Sequence, residues 1–188
     1  MKVFFVAVSV LFLAIFVSGQ APLGVESTSR SNIYVGYVAT FPDYGLQFNS
    51  YRFNGAEIAY ARSLRPHWDL IASGTTVSGS IFHAKQMSGT LGVKFSALTG
   101  HLRPYATAQV GYAHLTATNM YNEDHHPAVA PGKATNDSGL TYRGGFGVDL
   151  QMNRAFYWRA VQWDVQPQPW ARSTPLYNNF SSGIGYRF

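Results

Sequence analysis

No cysteine occurs among the 188 residues. Its absence excludes a disulfide framework, thiolate metal sites and a lipid anchor on an N-terminal cysteine. Charge is scarce as well: Asp, Glu, Lys and Arg make up 12% of the chain, against roughly 25% in an ordinary soluble domain. Such a chain either buries much of its surface or sets it against an apolar medium. The 14 Lys and Arg outnumber the 9 Asp and Glu. They form no basic run, however, so the footprint of a nucleic-acid binder is missing. Beyond Val17 no apolar stretch reaches the roughly 20 residues that a membrane-spanning helix needs. With mean hydropathy at −0.07, a bundle of membrane helices is excluded, and any further bilayer contact falls to strands.

Aromatics are abundant at 15%, led by 13 Phe and 12 Tyr, and there are 18 Gly. The length suits one domain. At the N-terminus Lys2 precedes an apolar run from Val3 to Val17, broken only by Ser9, and Ser18, Gly19 and Ala21 follow. A positive start, a short apolar stretch and a small-residue exit describe a secretory signal peptide. The expectation is a signal peptide over residues 1–19, cleaved after Gly19 or Ala21, ahead of a single domain over residues 31–188.

Downstream of Ser31 the hydrophobic period is two, the period of a strand. Phe180, Ser182, Ile184, Tyr186 and Phe188 share one face, and Asn179, Ser181, Gly183, Gly185 and Arg187 the other. The split recurs from Leu140 to Leu150, from Met87 to Ser96, from Asn54 to Ala61 and from Pro104 to Tyr112. It is less clean in Ile33–Ala39, Trp68–Thr76 and Phe156–Asp164. About eight segments result. One face is apolar and aromatic; the other carries Gly, Ala, Ser, Thr and isolated charges. A narrow barrel of about eight strands has room inside for small side chains and paired charges, which leaves the apolar face toward lipid. Within Tyr157–Val165 neither face is clean, and a β-bulge there would swap the phase midway.

The connections alternate in length. Leu64–His67, Leu98–Leu102 and Asn153–Arg154 are short, whereas Thr40–Phe53, Gly79–Gln86, Ala117–Ser138 and Gln166–Asn178 are long. The expected fold is all-β: a transmembrane antiparallel up-and-down β-barrel with short periplasmic turns and four longer extracellular loops.

The tail Ser182-Gly183-Ile184-Gly185-Tyr186-Arg187-Phe188 resembles the closing strand of small outer-membrane barrels of the outer-membrane protein A and X type. Arg103-Pro104-Tyr105, with Gly111-Tyr112 further on, and Gly145-Phe146-Gly147-Val148-Asp149 are similar to that family too. The resemblance covers nearly the whole mature chain. It implies an outer-membrane location and gives Phe188, Tyr186 and Ile184 the role of the signal read by the barrel-assembly machinery.

Candidates for chemistry are few. Acyl-ester hydrolysis needs a nucleophile and a base within reach. None of His67, His83, His101, His114, His125 and His126 stands in the His-x-Ser-Asn pattern of the lipid A deacylases, and no Gly-x-Ser-x-Gly elbow occurs. Glu123, Asp124, His125 and His126 gather metal-ligand types, but adjacent side chains on a long loop seldom converge, so no metal site and no cofactor are expected. More telling are Glu57, Lys94, Arg143, Asp149 and Arg187, which fall on the lumen phase with interleaved signs. They are expected to form a salt-bridge network that closes the interior, since buried charges persist when paired. Tyr34, Tyr37, Trp68, Tyr105, Tyr112, Tyr142, Trp158, Trp163 and Tyr186 offer material for two interfacial girdles, although Tyr105 falls on the lumen phase.

The function expected is non-enzymatic: an integral outer-membrane barrel with a structural, envelope or surface-binding role through its loops. Its partners would be outer-membrane lipid and lipopolysaccharide, the assembly machinery during insertion, and any surface ligand at the loops, with no nucleic acid. The alternatives are a lipid A-modifying hydrolase or acyltransferase, and a soluble secreted barrel that carries an apolar ligand.

Overall fold

The computed structural model describes residues 31–43, 52–79, 84–97, 101–118, 134–167 and 176–188. They form eight strands: β1 Ser31–Asp43, β2 Phe53–Arg65, β3 Trp68–Ser78, β4 Lys85–Ser96, β5 Leu102–Thr118, β6 Ala134–Gln151, β7 Phe156–Pro167 and β8 Leu176–Arg187. Each pairs antiparallel with the next, and β1 pairs with β8 to close the barrel. The seam runs from Asn32 opposite Arg187 to Asp43 opposite Leu176. At its foot Ser31 and Phe188 exchange backbone hydrogen bonds of 3.0 and 2.9 Å. Closure removes every free sheet edge, so ladder bonds satisfy the backbone all the way round.

Alternation decides which side chains go in. On β8 Asn179, Ser181 and Gly185 are buried, while Phe180, Ile184 and Tyr186 are exposed, as is Phe188 just after it. β2, β4, β5 and β6 follow the same rule. Ile58, Leu91, Val110, Leu140 and Ile184 stand roughly half or more exposed around the outer wall. A contiguous apolar belt of that extent is far beyond what monomeric soluble proteins leave open.

In β7 the phase does switch. Asp149 pairs with Arg159 and Val148 with Val161, so Ala160 is an extra residue without a partner on β6. Across the other seam Arg159 faces Gly183 and Gln162 faces Ser181. The bulge turns Tyr157 and Arg159 inward below it, and Gln162, Asp164 and Gln166 inward above it.

The long connections are shorter than the turn residues alone indicate. β5 and β6 stay paired up to Thr118 opposite Ala134, so the ladder continues into the stretch Ala117–Ser138 that composition assigns to a loop. Likewise β1 runs on to Asp43, β4 starts at Lys85, β7 ends at Pro167 and β8 starts at Leu176. The signal peptide and the cluster Glu123, Asp124, His125 and His126 lie outside the described residues.

Candidate functional site

Among the described residues, charged side chains meet away from solvent on the inner face. Glu57 on β2, Lys94 on β4 and Arg143 and Asp149 on β6 are all buried there. Lys94 donates to Asp149 Oδ2 at 2.6 Å, and Arg159 Nε donates to Asp149 Oδ1 at 3.1 Å. Arg143 donates from Nε and Nη2 to Asp164 Oδ2 at 2.9 and 2.6 Å. It also reaches Glu57, with Nη1 2.9 Å from Oε1 and Nη2 donating to Oε2 at 3.1 Å. Gln162 joins the two groups: its Oε1 accepts from Arg159 Nη1 at 2.7 Å, and its Nε2 donates to Asp164 Oδ2 at 2.6 Å.

The chain Lys94–Asp149–Arg159–Gln162–Asp164–Arg143–Glu57 thus crosses the lumen with three positive and three negative members. Burying any one of these ions alone would cost several kcal/mol, and alternating signs with hydrogen bonds offset that cost. Arg187 stands apart. It hydrogen-bonds Gln151 Oε1 and lies 4.9 Å from the Tyr157 ring. Arg159, Gln162 and Asp164 escaped the sequence reading because the bulge scrambles their phase.

Tyrosines pack round the cations. Arg159 lies 3.9 Å from the Tyr34 ring centroid, and Lys94 lies 4.0 Å from that of Tyr105. Tyr105 OH donates to Gln162 Oε1 at 2.7 Å. Glycines make room for these rings. Gly147 lies opposite Tyr105, and a Cβ on Gly147 would strike the Tyr105 phenol; one on Gly36 would strike that of Tyr34. Tyr34, offered above as girdle material, is therefore a lumen residue, 1% exposed.

Toward the loop end the lumen changes character. Thr40, Asn179, Gln166 and Thr141 form a hydrogen-bonded chain. Beside it Val38, Phe53, Val77, Ala84, Leu115 and Ala117 form an apolar cluster, and Tyr177 stacks on Phe53 at 6.2 Å. This layer is readable only by extending the phase of β5 from Gln109 through Ala113 to Leu115 and Ala117, past the point where turn residues suggest a loop.

Among the described residues the outer wall brings a nucleophile and a base together. His114 Nδ1 lies 2.6 Å from Ser138 Oγ, and His114 Nε2 lies 3.3 Å from Thr116 Oγ1. Ser138 comes from the adjacent strand, where a search for a local His-Ser motif does not reach. No carboxylate orients this imidazole among the described residues. His67 sits at the short-turn end with Nδ1 3.0 Å from Ser96 O, and His83, His125 and His126 lie outside the described residues. Ile184, Tyr186 and Phe188 are exposed on the outer wall, with Tyr186 between Phe156 and Phe188 at 5.1 and 6.0 Å. No group of three or more metal-ligand side chains forms among the described residues.

No protein-family model matches the chain, and no curated protein matches it by sequence. Solved structures do match in fold. Neisserial surface protein A (NspA) superposes with a TM-score of 0.63 at 9% identity, over 85% of this chain and 96% of that one. Ail, the attachment invasion locus protein of Yersinia pestis, gives 0.55 at 18% identity over 85% and 99%. The N-terminal β-barrel domain of Pseudomonas aeruginosa OprF gives 0.50 at 15% identity over 86% and 100%. The chain shares the fold of these small eight-stranded outer-membrane barrels.

Proposed function

We propose that the protein is a non-enzymatic barrel of the outer membrane, closed to ions, which stabilises the envelope and presents its loops at the surface. One observation carries this reading: polarity is inverted relative to a soluble fold. Arg143, Asp149, Arg159 and Asp164 are at most 2% exposed inside the barrel, while Leu140 and Ile184 are 62% and 57% exposed outside it. Hydrocarbon stabilises such an outer wall, whereas water would drive it to aggregate. The shared fold supports the location, and the soluble ligand carrier loses support because the lumen holds ion pairs where an apolar ligand would sit.

In this reading residues 1–19 direct export and are removed. Phe188, Tyr186 and Ile184 display the aromatic and apolar signal that the assembly machinery reads. The loops face outward; that Ail, an attachment invasion locus protein, forms a complex with the heparin analogue sucrose octasulfate supports a surface-binding role on this fold. Separation of inner from outer membranes, with heat-modifiable migration on a denaturing gel, tests the location; recovery in the soluble fraction overturns it. Planar-bilayer recording tests closure, and large steady conductance from the purified protein contradicts it.

The His114–Ser138 pair favours a second reading, a hydrolase acting on lipid at the outer wall. Mass spectrometry of lipid A from expressing cells separates the two. An acyl chain lost in wild type and kept in Ser138→Ala establishes the hydrolase; unchanged lipid A supports the structural role.

A further inference from the structure

Charge is divided unevenly along the barrel axis. Inside the wall the ion chain is neutral, with three cations against three anions. Toward the loop end the described residues balance too, Arg52 and Lys85 against Asp43 and Asp137. At the short-turn end they do not. Arg62, Arg65, Arg103, Arg154 and Arg187 stand there, and Asp69 is the one acidic side chain outside the ion chain among the described residues. The positive excess of the described barrel is therefore gathered at one end. Arg65 ends β2, Arg103 follows the first residue of β5, Arg154 lies between β6 and β7, and Arg187 ends β8. The arginines thus ring the mouth.

Two of the five share the lumen phase. Arg103 has the phase of Tyr105 and Arg187 that of Gly185, and both are partly buried. They lie near enough for their charges to repel each other. Arg187 hydrogen-bonds the neutral Gln151 Oε1 and lies 4.9 Å from the Tyr157 ring. Of the acids nearby, Asp149 is held by Lys94 and Arg159, and Asp69 accepts from Ser63 Oγ at 2.7 Å. Like charges side by side and partly shielded from water destabilise each other, and an anion set between them reverses the sign. A planar guanidinium holds a carboxylate through two parallel hydrogen bonds. Membrane lipid does not reach this pair, because the barrel wall stands between bilayer and inner face. Asn32, Ser63, Asp69 and Gln151 add both donors and acceptors at the mouth. That mixture suits peptide N–H and C=O groups, whereas a polyphosphate has only acceptors to offer.

We infer that the short-turn mouth binds an acidic peptide chain on the periplasmic side. One carboxylate sits between Arg103 and Arg187, and further carboxylates meet Arg65 and Arg154 on the rim. Charge complementarity selects the occupant: a small anion would engage the inner pair alone, and a lipid headgroup the outer arginines alone. A chain bearing several carboxylates engages both. The inference rests on the outer-membrane reading, which turns this end toward the periplasm, and gives the envelope role a partner of stated chemistry.

Fluorescence anisotropy of the full protein, purified from membranes in a neutral detergent, tests it. The probe is a fluorescein-labelled hexaglutamate with capped termini. Wild type should bind one probe per barrel, more weakly at high salt than at low. Arg103→Gln and Arg187→Gln should each weaken binding about tenfold, the effect of one lost hydrogen bond to a charged group. Arg154→Glu, in an exposed turn, should weaken it about threefold, as expected for a surface charge. Lys85→Gln at the loop end is the control and should change nothing. Heat-modifiable migration checks the fold of each variant, and Arg154→Glu carries the test where an inner variant does not fold. Equal affinity in all variants overturns the site, as does an equal loss in Lys85→Gln. Tripolyphosphate that competes as well as unlabelled hexaglutamate overturns the peptide as occupant. Complete displacement by phosphatidylglycerol added to the micelles overturns it in favour of lipid. Recovery of a soluble protein overturns the outer-membrane reading instead, whereas an inserted barrel that ignores the probe sinks this inference alone.

Discussion

Arg159 and Asp164, five residues apart on β7, both point into the lumen, bridged by Gln162. Strict alternation would put them on opposite sides of the wall. The unpaired Ala160 reconciles them, and without it one of the two charges would face lipid. A basic side chain at the midplane costs roughly 2–4 kcal/mol there, so the bulge is a structural requirement of the ion chain.

Arg143 holds two carboxylates, Glu57 and Asp164. Arg143→Met should therefore destabilise the barrel by about 3–5 kcal/mol, because it strands two buried anions. The triple variant Glu57→Leu, Arg143→Met, Asp164→Leu should recover most of that loss. Urea unfolding in detergent micelles measures both. A triple variant as unstable as the single one would show that the ion chain is worth more than the desolvation it relieves.

Gly147 and Gly89 should respond in opposite directions to alanine. At Gly147 the new methyl meets the Tyr105 phenol and overpacks the lumen, which costs about 1–3 kcal/mol. At Gly89 it enters open space, and relief of the glycine penalty in a strand gains about 0.5–1 kcal/mol. The same unfolding assay reads both, and equal effects would contradict the division of glycines between the two faces.

Phe188→Ala should separate assembly from stability. Phe188 is 59% exposed on the outer wall, so its loss removes little packing and refolding into micelles should proceed as in wild type. In cells the folded, heat-modifiable form should fall if this aromatic is part of the assembly signal. An unchanged cellular yield would remove that role.

Joining Thr118 to Ala134 through a short Gly-Ser linker should leave the barrel folded, because both strand ends stay paired. Cutting back to Ala117 and Ser138, the boundaries that composition suggests, removes ladder pairs and should lower stability. Comparing the two deletions by heat-modifiable migration checks the hairpin's extent.

Most of the fold was legible because a strand's period is local. Ile184 and Tyr186 face out and Ser181 and Gly185 face in for reasons confined to their own segment, and eight such segments with alternating short and long connections leave a closed meander. The ion chain was legible only in part. Glu57, Lys94, Arg143 and Asp149 show their lumen phase in sequence, but nothing local says that Arg143 would reach Glu57 across 86 residues of chain.

From sequence alone came the two faces of the wall, the strand number and the low charge that suits an apolar surround. Alternation is a property of neighbours along the chain, and it needs no knowledge of distant contacts. Tertiary structure alone decided that the bulge, which the sequence admits somewhere within Tyr157–Val165, falls at Ala160, and that Tyr34, Arg159 and Asp164 enter the lumen. Each of these depends on ladder register and on which strands face one another across a closed barrel, and those are set by the whole circumference at once.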